Sequence, residues 1–132
     1  MLGNKDHDAI TTYIDEVRGL LPISKGLMPI EASQRAAELL LARLKIAQYK
    51  RQLQDQKVKY NSILNVHYQK LLSEASGKTA ADREAVVEAN SDYISDRENV
   101  EITENNIKYI DTVLGTFIDG HLLLRQMGKE QF

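Results

Sequence analysis

Two long segments with helical spacing of apolar residues, joined by a short break, constrain this chain more than any other feature. Residues 30–75 contain neither glycine nor proline, and Gly77 lies in the break that follows them. Residues 80–127 then carry apolar side chains at a seven-residue period, which is typical of a coiled-coil seam. Because so short a break joins them, the two segments should pack antiparallel. The sequence therefore predicts an all-α fold built on a long antiparallel two-helix hairpin.

A short helix and a connector are expected before the hairpin. Apolar residues recur at helical spacing in the first segment, where Asp6 or Asp8 can serve as the N-cap. Thr79 can cap the second long helix, and Asp82 three residues later resembles a capping box. The 132 residues correspond to one domain. Its parts are a short helix, a connector, a basic long helix, a turn and an acidic long helix, at residues 6–20, 21–29, 30–75, 76–79 and 80–127.

Heptad positions on the two long helices predict a pairing register. Folding the helices about Gly77 gives residue numbers that sum to about 156 across the seam. This register pairs Leu39 with Phe117 and Tyr60 with Asp96. At the flanking positions it sets Arg43 near Asp111, Lys50 near Glu104, and Lys57 opposite Arg97. The residues expected in the core or in subunit contacts are Ile46, Leu53, Ile63, Tyr93, Val100, Ile107, Ile110, Leu114 and Phe117.

Apolar residues outside this seam indicate self-association. They include Leu40, Leu41, Leu44, Ile94, Ile102, Val113, Ile118, Leu122 and Leu123. The short first helix is expected to cover Leu122 and Leu123. A two-helix hairpin alone buries too little surface to offset the conformational entropy lost on folding. We therefore expect a homo-oligomer that covers the remaining apolar stripes.

Composition and motifs disfavour an enzyme. The chain has no cysteine, so it cannot form a disulfide or a thiolate metal site. Gly77-Lys78-Thr79 resembles the end of a P-loop, but Leu72 stands where that motif needs glycine. His67 and His121 fall at seam positions, where a polar core role is expected. No catalytic, cofactor or metal site is predicted. The absence of a long apolar run predicts a cytoplasmic protein without membrane contact.

The basic helix carries the candidate nucleic-acid site. Residues 31–78 hold nine Lys or Arg against four Asp or Glu, whereas residues 79–132 hold five against eleven. Cations interleaved with tyrosines suit single-stranded DNA, because cations follow phosphates and rings stack on bases. The candidate DNA-binding residues are Lys45, Lys50, Arg51, Lys57, Lys59 and Tyr60. In the alternative reading, which composition and spacing favour, the cations flanking the seam pair with the acidic helix instead.

A family resemblance supports the nucleic-acid reading. It rests on the turn at residues 75–85, on Asp92-Tyr93-Ile94, on residues 106–110 and on Arg125. These segments resemble small phage-encoded recombination mediators of the UvsY type. The resemblance implies a ring-like helical homo-oligomer that binds single-stranded DNA. It also implies that the protein helps load a RecA-like recombinase onto strands coated with single-strand-binding protein.

The resemblance also implies where DNA binds. In the family, DNA contact falls on the first long helix just before the turn, which corresponds here to Lys57, Lys59, Lys50 and Arg51. The net charge of −2 departs from the basic character usual in DNA-binding proteins. A rival class is a structural or adaptor coiled coil, such as a virion scaffold or an inhibitor of a host protein. Such a protein would use its apolar stripes and would not bind nucleic acid.

Overall fold

The computed structural model describes residues 4–21 and 27–129, and within them it confirms the all-α class. The described part contains four helices and no strand. They are α1 (Asn4–Arg18), α2 (Pro29–Glu74), α3 (Ala80–Glu88) and α4 (Ser91–Lys129). Most of the connector expected at 21–29, including Pro22 and Gly26, lies outside the described residues.

Helices α1 and α2 follow from simple local signals. Helix α1 begins at Asn4, so neither Asp6 nor Asp8 stands at its start as expected for a cap. Its apolar spacing places Ile14 and Val17 in the core. Helix α2 starts with proline in its first turn, where the missing backbone N–H has no helical acceptor, and it continues for 46 residues.

The acidic helix is interrupted, which contradicts the single helix expected over residues 80–127. Thr79 caps α3 as predicted, and its Oγ1 accepts a hydrogen bond from the backbone N–H of Asp82 at 3.1 Å. Asn90 then caps α4, because its Oδ1 accepts from the backbone N–H groups of Asp92 at 2.9 Å and Tyr93 at 3.3 Å. This side chain competes for the N–H groups that a continuous helix would use. Helix α4 ends at Lys129, two residues beyond the expected end at residue 127.

The first of two compact units contains α1, the start of α2 and the end of α4. In the described chain it comprises residues 4–21, 27–52 and 108–129. Here α2 and α4 run antiparallel, since Arg43 contacts His121 and Lys50 contacts Asp111. Its fully buried large side chains are Ile14, Leu39, Ile46, Ile110, Val113, Phe117 and Leu124.

The second unit spans residues 53–107 and contains the chain reversal. Its helices are also antiparallel, since Lys57 contacts Glu104 and His67 contacts Asp96. Its buried residues are Leu53, Val87, Val100 and Thr103. The reversal uses the whole of residues 75–90, including α3, rather than a four-residue turn.

The pairing register differs from the prediction by one heptad. Asp111 was expected beside Arg43 but pairs with Lys50. Glu104 was expected beside Lys50 but pairs with Lys57. A seam of period seven can shift by one heptad while every seam position still faces the partner helix, so the heptad pattern does not select between the two registers. The long reversal favours the shifted one.

Other seam contacts change with the register. Lys57 does not face Arg97, which instead contacts Glu101 on its own helix at 3.4 Å. Asp96 contacts the Nδ1 atom of His67 at 2.6 Å rather than Tyr60.

The expected core residues differ in how deeply they are buried. Ile46, Leu53, Val100, Ile110 and Phe117 are buried, and Tyr93, Ile107 and Leu114 are half-buried. Ile63 is 37% exposed, so it does not belong to the buried core. Val113, expected outside the seam, is buried in the first unit. Leu122 and Leu123 remain exposed on α4, so α1 does not cover them as predicted.

Candidate nucleic-acid interface

The five candidate DNA-binding cations fall into two groups, and the sixth candidate, Tyr60, differs from both. Lys50 and Lys57 make salt bridges to the acidic helix. The alternative reading expected such a pair for Lys50, although with Glu104, and it left Lys57 without an acidic partner, opposite Arg97. Lys45, Arg51 and Lys59 are exposed. Tyr60 is half-buried, and its hydroxyl accepts a hydrogen bond from Gln56 Nε2 at 3.0 Å.

The two salt bridges reduce the charge available on the basic helix. Lys50 Nζ lies 2.5 Å from Asp111 Oδ1, and Lys57 Nζ lies 3.5 Å from Glu104 Oε1. All four side chains retain partial exposure, so each pair contributes only about 0–1 kcal/mol to stability. Each lysine nevertheless has its charge compensated by a nearby carboxylate, which weakens its attraction for a phosphate.

Arg51 and Lys59 are the exposed cations of the basic stretch that remain available. Arg51 belongs to the first unit and Lys59 to the second. Within the described residues neither forms a salt bridge or a side-chain hydrogen bond. Both side chains can therefore bind an anion without first breaking an internal contact.

A groove between α1 and α2 lies beside the remaining cation. The Nζ atom of Lys45 is 4.3 Å from the ring centroid of Tyr13, within the range of a cation–π contact. The groove has a volume of about 470 Å³ and is open to solvent. Its lining residues are Ala9, Ile10, Tyr13, Lys45, Gln48, Tyr49 and Gln52.

One hydrogen bond between helices fixes the inner wall of this groove. The hydroxyl of Tyr49 lies 2.8 Å from Nδ1 of His7, and Tyr49 is buried. This contact joins α1 to α2 and holds the two walls at a fixed separation. None of the candidate DNA-binding residues named from the sequence lies on the first helix, so the contribution of α1 to the site was missed.

Tyr13 keeps its phenol proton at neutral pH. Burial raises its pKa above the usual value, and the carboxylates of Glu16 and Glu38 raise it further. The ring therefore presents a neutral face to a ligand, and its hydroxyl remains a hydrogen-bond donor.

Two histidines form polar contacts elsewhere. In the first unit, His121 is buried and its Nδ1 lies 2.7 Å from an Arg43 guanidinium nitrogen. In the second unit, His67 and Asp96 line a polar pocket of about 390 Å³ with Lys70, Glu74, Asp92 and Ser95, and Leu71 adds an apolar side chain.

No group of three or more His, Asp or Glu side chains in the described part is arranged to hold a metal ion. None of the described helices is long and apolar enough to cross a membrane.

No protein-family model, curated protein or solved structure matches this chain.

Proposed function

We propose that this protein binds single-stranded DNA through exposed cations of each unit, Lys45 and Arg51 in the first and Lys59 in the second. One observation carries the proposal: within the described part of the chain no salt bridge compensates the charge of these exposed cations, whereas Lys50 and Lys57 are paired with acids. A basic surface can remain functional on a chain of net negative charge, because nearby charges dominate at distances within a Debye length.

Single strands suit this surface better than duplex DNA. Lys45 lies over an aromatic ring in an open groove, which combines a cation for the backbone with a ring for a base. Such combinations bind single strands with little sequence preference, because every base has a face that can stack. Bases in a duplex are stacked on one another and cannot reach a ring inside a groove.

Assistance to a recombinase is the activity that the family resemblance adds to this proposal. Residues around the α2–α4 reversal resemble recombination mediators of the UvsY type. We propose that the protein binds DNA in the cytoplasm of a host cell and helps load a RecA-like recombinase or an annealing protein onto strands coated with single-strand-binding protein.

Self-association is part of the proposal, and the second unit offers matching surfaces for it. Two pairs of exposed apolar residues, each with members eight positions apart, lie on α2 and on α4. They are Val58 at 68% and Val66 at 63% exposure, and Ile94 at 43% and Ile102 at 57%. Because the spacing is equal, α2 of one copy can lie antiparallel to α4 of another with both apolar contacts formed together.

The proposed pairing joins the α2 surface of one copy to the α4 surface of another. Because different surfaces meet, the contact is heterologous, and repeating it produces a ring when the rotation closes.

A salt titration tests DNA binding. We expect a fluorescently labelled oligo(dT) to bind at low salt, with affinity falling steeply as salt increases. Replacing Lys45, Arg51 and Lys59 by Gln should reduce the slope of log K against log[salt] by about 2 units, since each phosphate contact on a single strand contributes about 0.7. The matched control replaces three exposed cations elsewhere, Arg97, Lys108 and Lys129. An equal reduction of this slope in both variants would contradict the proposal, and so would a failure of the wild-type protein to bind the oligonucleotide at low salt.

An adaptor role is the second candidate. It is favoured by Leu40, Leu41 and Leu44, which are 44%, 58% and 59% exposed on α2 of the first unit. An apolar ridge of this kind is typical of a surface that binds another helix. This role predicts that Leu41→Glu with Leu44→Glu abolishes function while the triple Gln variant retains it.

A further inference from the structure

The geometry of the groove between α1 and α2 points to a binding site for one unpaired base of the DNA strand. This inference rests on the proposed binding of single-stranded DNA and specifies which part of the strand enters the groove. The groove is formed by residues of the first unit only. Its three chemical elements are an aromatic ring, two amides and a cation.

The aromatic ring supplies the stacking surface. Tyr13 projects from α1 and is half-buried, so one part of the ring is held by packing while another faces the groove. Lys45 currently lies over that ring at 4.3 Å. A base that stacks on Tyr13 takes the place of the ammonium, which can then move to the phosphate attached to that base. The long, flexible lysine side chain permits this exchange.

The two amides suit the edge of a base. Gln48 and Gln52 lie four positions apart on α2, so both project from the same face into the groove. Each carboxamide presents donors and an acceptor, and it can rotate to match either pattern on a base edge. This composition favours base binding without strong sequence preference.

The size and rigidity of the groove fit a nucleoside. Its volume of about 470 Å³ lies within the range of about 300–1,000 Å³ found for small-molecule sites. The hydrogen bond between Tyr49 and His7 fixes the wall behind the base. Because the base must leave any duplex stack to enter, the site selects unpaired strands.

Abasic DNA separates base binding from backbone binding. The test compares oligo(dT) with an abasic oligonucleotide of equal length, which keeps the phosphates and lacks the bases. We expect Tyr13→Leu to weaken oligo(dT) binding roughly tenfold, because stacking on one aromatic ring contributes about 1–3 kcal/mol. Binding of the abasic strand should not change. The control Tyr13→Phe retains the ring and should bind both strands as the wild-type protein does.

A second variant tests the base site independently, in case Tyr13→Leu disturbs folding. Gln48→Leu with Gln52→Leu changes only exposed side chains and leaves the ring in place. It should also weaken oligo(dT) binding several-fold without affecting the abasic strand. Equal weakening of both strands, or unchanged oligo(dT) binding in both variants, would overturn the base site while leaving DNA binding intact. Failure of the wild-type protein to bind either strand would instead contradict the proposed function.

Discussion

Lys50 and Asp111 form a salt bridge in the first unit, with 2.5 Å between Nζ and Oδ1. One heptad along each helix, in the second unit, Lys57 Nζ lies 3.5 Å from Glu104 Oε1. For both lysines, the residue that they contact on α4 lies one heptad from the residue that a tight turn at Gly77 would place beside them. The two salt bridges therefore identify the register in which α2 pairs with α4. They also compensate the charge of two cations that were expected to bind DNA.

Charge exchange tests this register. Lys50→Glu should lower the free energy of unfolding, because it places two carboxylates side by side. Adding Asp111→Lys should recover about 0.2–1 kcal/mol of that loss, as measured by urea denaturation. Adding Glu104→Lys instead should recover none of it. Recovery by Glu104→Lys alone would mean that the helices pair in the tight-turn register.

Phe117 should be a principal source of stability in the first unit. It is 0% exposed, and Phe117→Ala should cost about 3–5 kcal/mol through lost burial and the cavity that remains. Leu123→Ala is the matched control on α4, since Leu123 is 49% exposed and its loss should change stability by only about 0.5 kcal/mol. If the two variants unfold at similar urea concentrations, Phe117 does not have the core position described here.

His121 should make stability depend on pH. Burial lowers the pKa of His121 below its usual value of 6.5, and the positive charges of Arg43 and Arg125 lower it further. The unfolded state therefore binds the proton more readily than the folded state. The stabilisation is present above pH 6.5 and is lost as pH falls from there toward the lowered pKa.

The comparison with His121→Gln isolates this effect. The glutamine keeps a polar side chain that does not titrate, so its melting temperature should fall less than that of the wild-type protein between pH 7 and pH 5. Parallel pH profiles for the two proteins would show that His121 does not titrate differently on folding.

Mixing two blocked variants tests the proposed contact between copies. Val66→Glu should block the α2 surface and Ile94→Glu the α4 surface, because each buries a charge in an apolar contact. Each variant alone retains one competent surface but lacks its complement, so light scattering should report a monomer. An equimolar mixture should form a dimer, since the intact surface of one variant fits the intact surface of the other. A monomeric wild-type protein, or a mixture that stays monomeric, would rule out this contact.

Helix content was predictable because local signals agree with tertiary packing. The absence of glycine and proline between Pro29 and Gly77 permits the long α2, and the hydroxyl of Thr79 caps α3 as its position indicated. Asn90 was harder to interpret. Asparagine within an apolar repeat can be a solvated side chain or a cap, and only the chain reversal around it determines which.

The candidate site was predicted in part, for a related reason. The basic stretch of α2 indicated which residues could bind phosphate, but the choice between free and paired cations depended on the register. A shift of one heptad changes the residue that lies beside each lysine while preserving the apolar pattern. The contribution of Tyr13 was missed because α1 and α2 are connected by a segment whose sequence does not fix how the two helices pack.

Gln56 shows that the second unit is not built for maximal stability. Its Nε2 donates to Tyr60, but its Oε1 is buried and accepts no hydrogen bond within the described part of the chain. Withdrawing an acceptor from water without replacement costs about 1–3 kcal/mol. A leucine here would remove that penalty, so the amide marks a place where this hairpin is more easily opened than its length suggests.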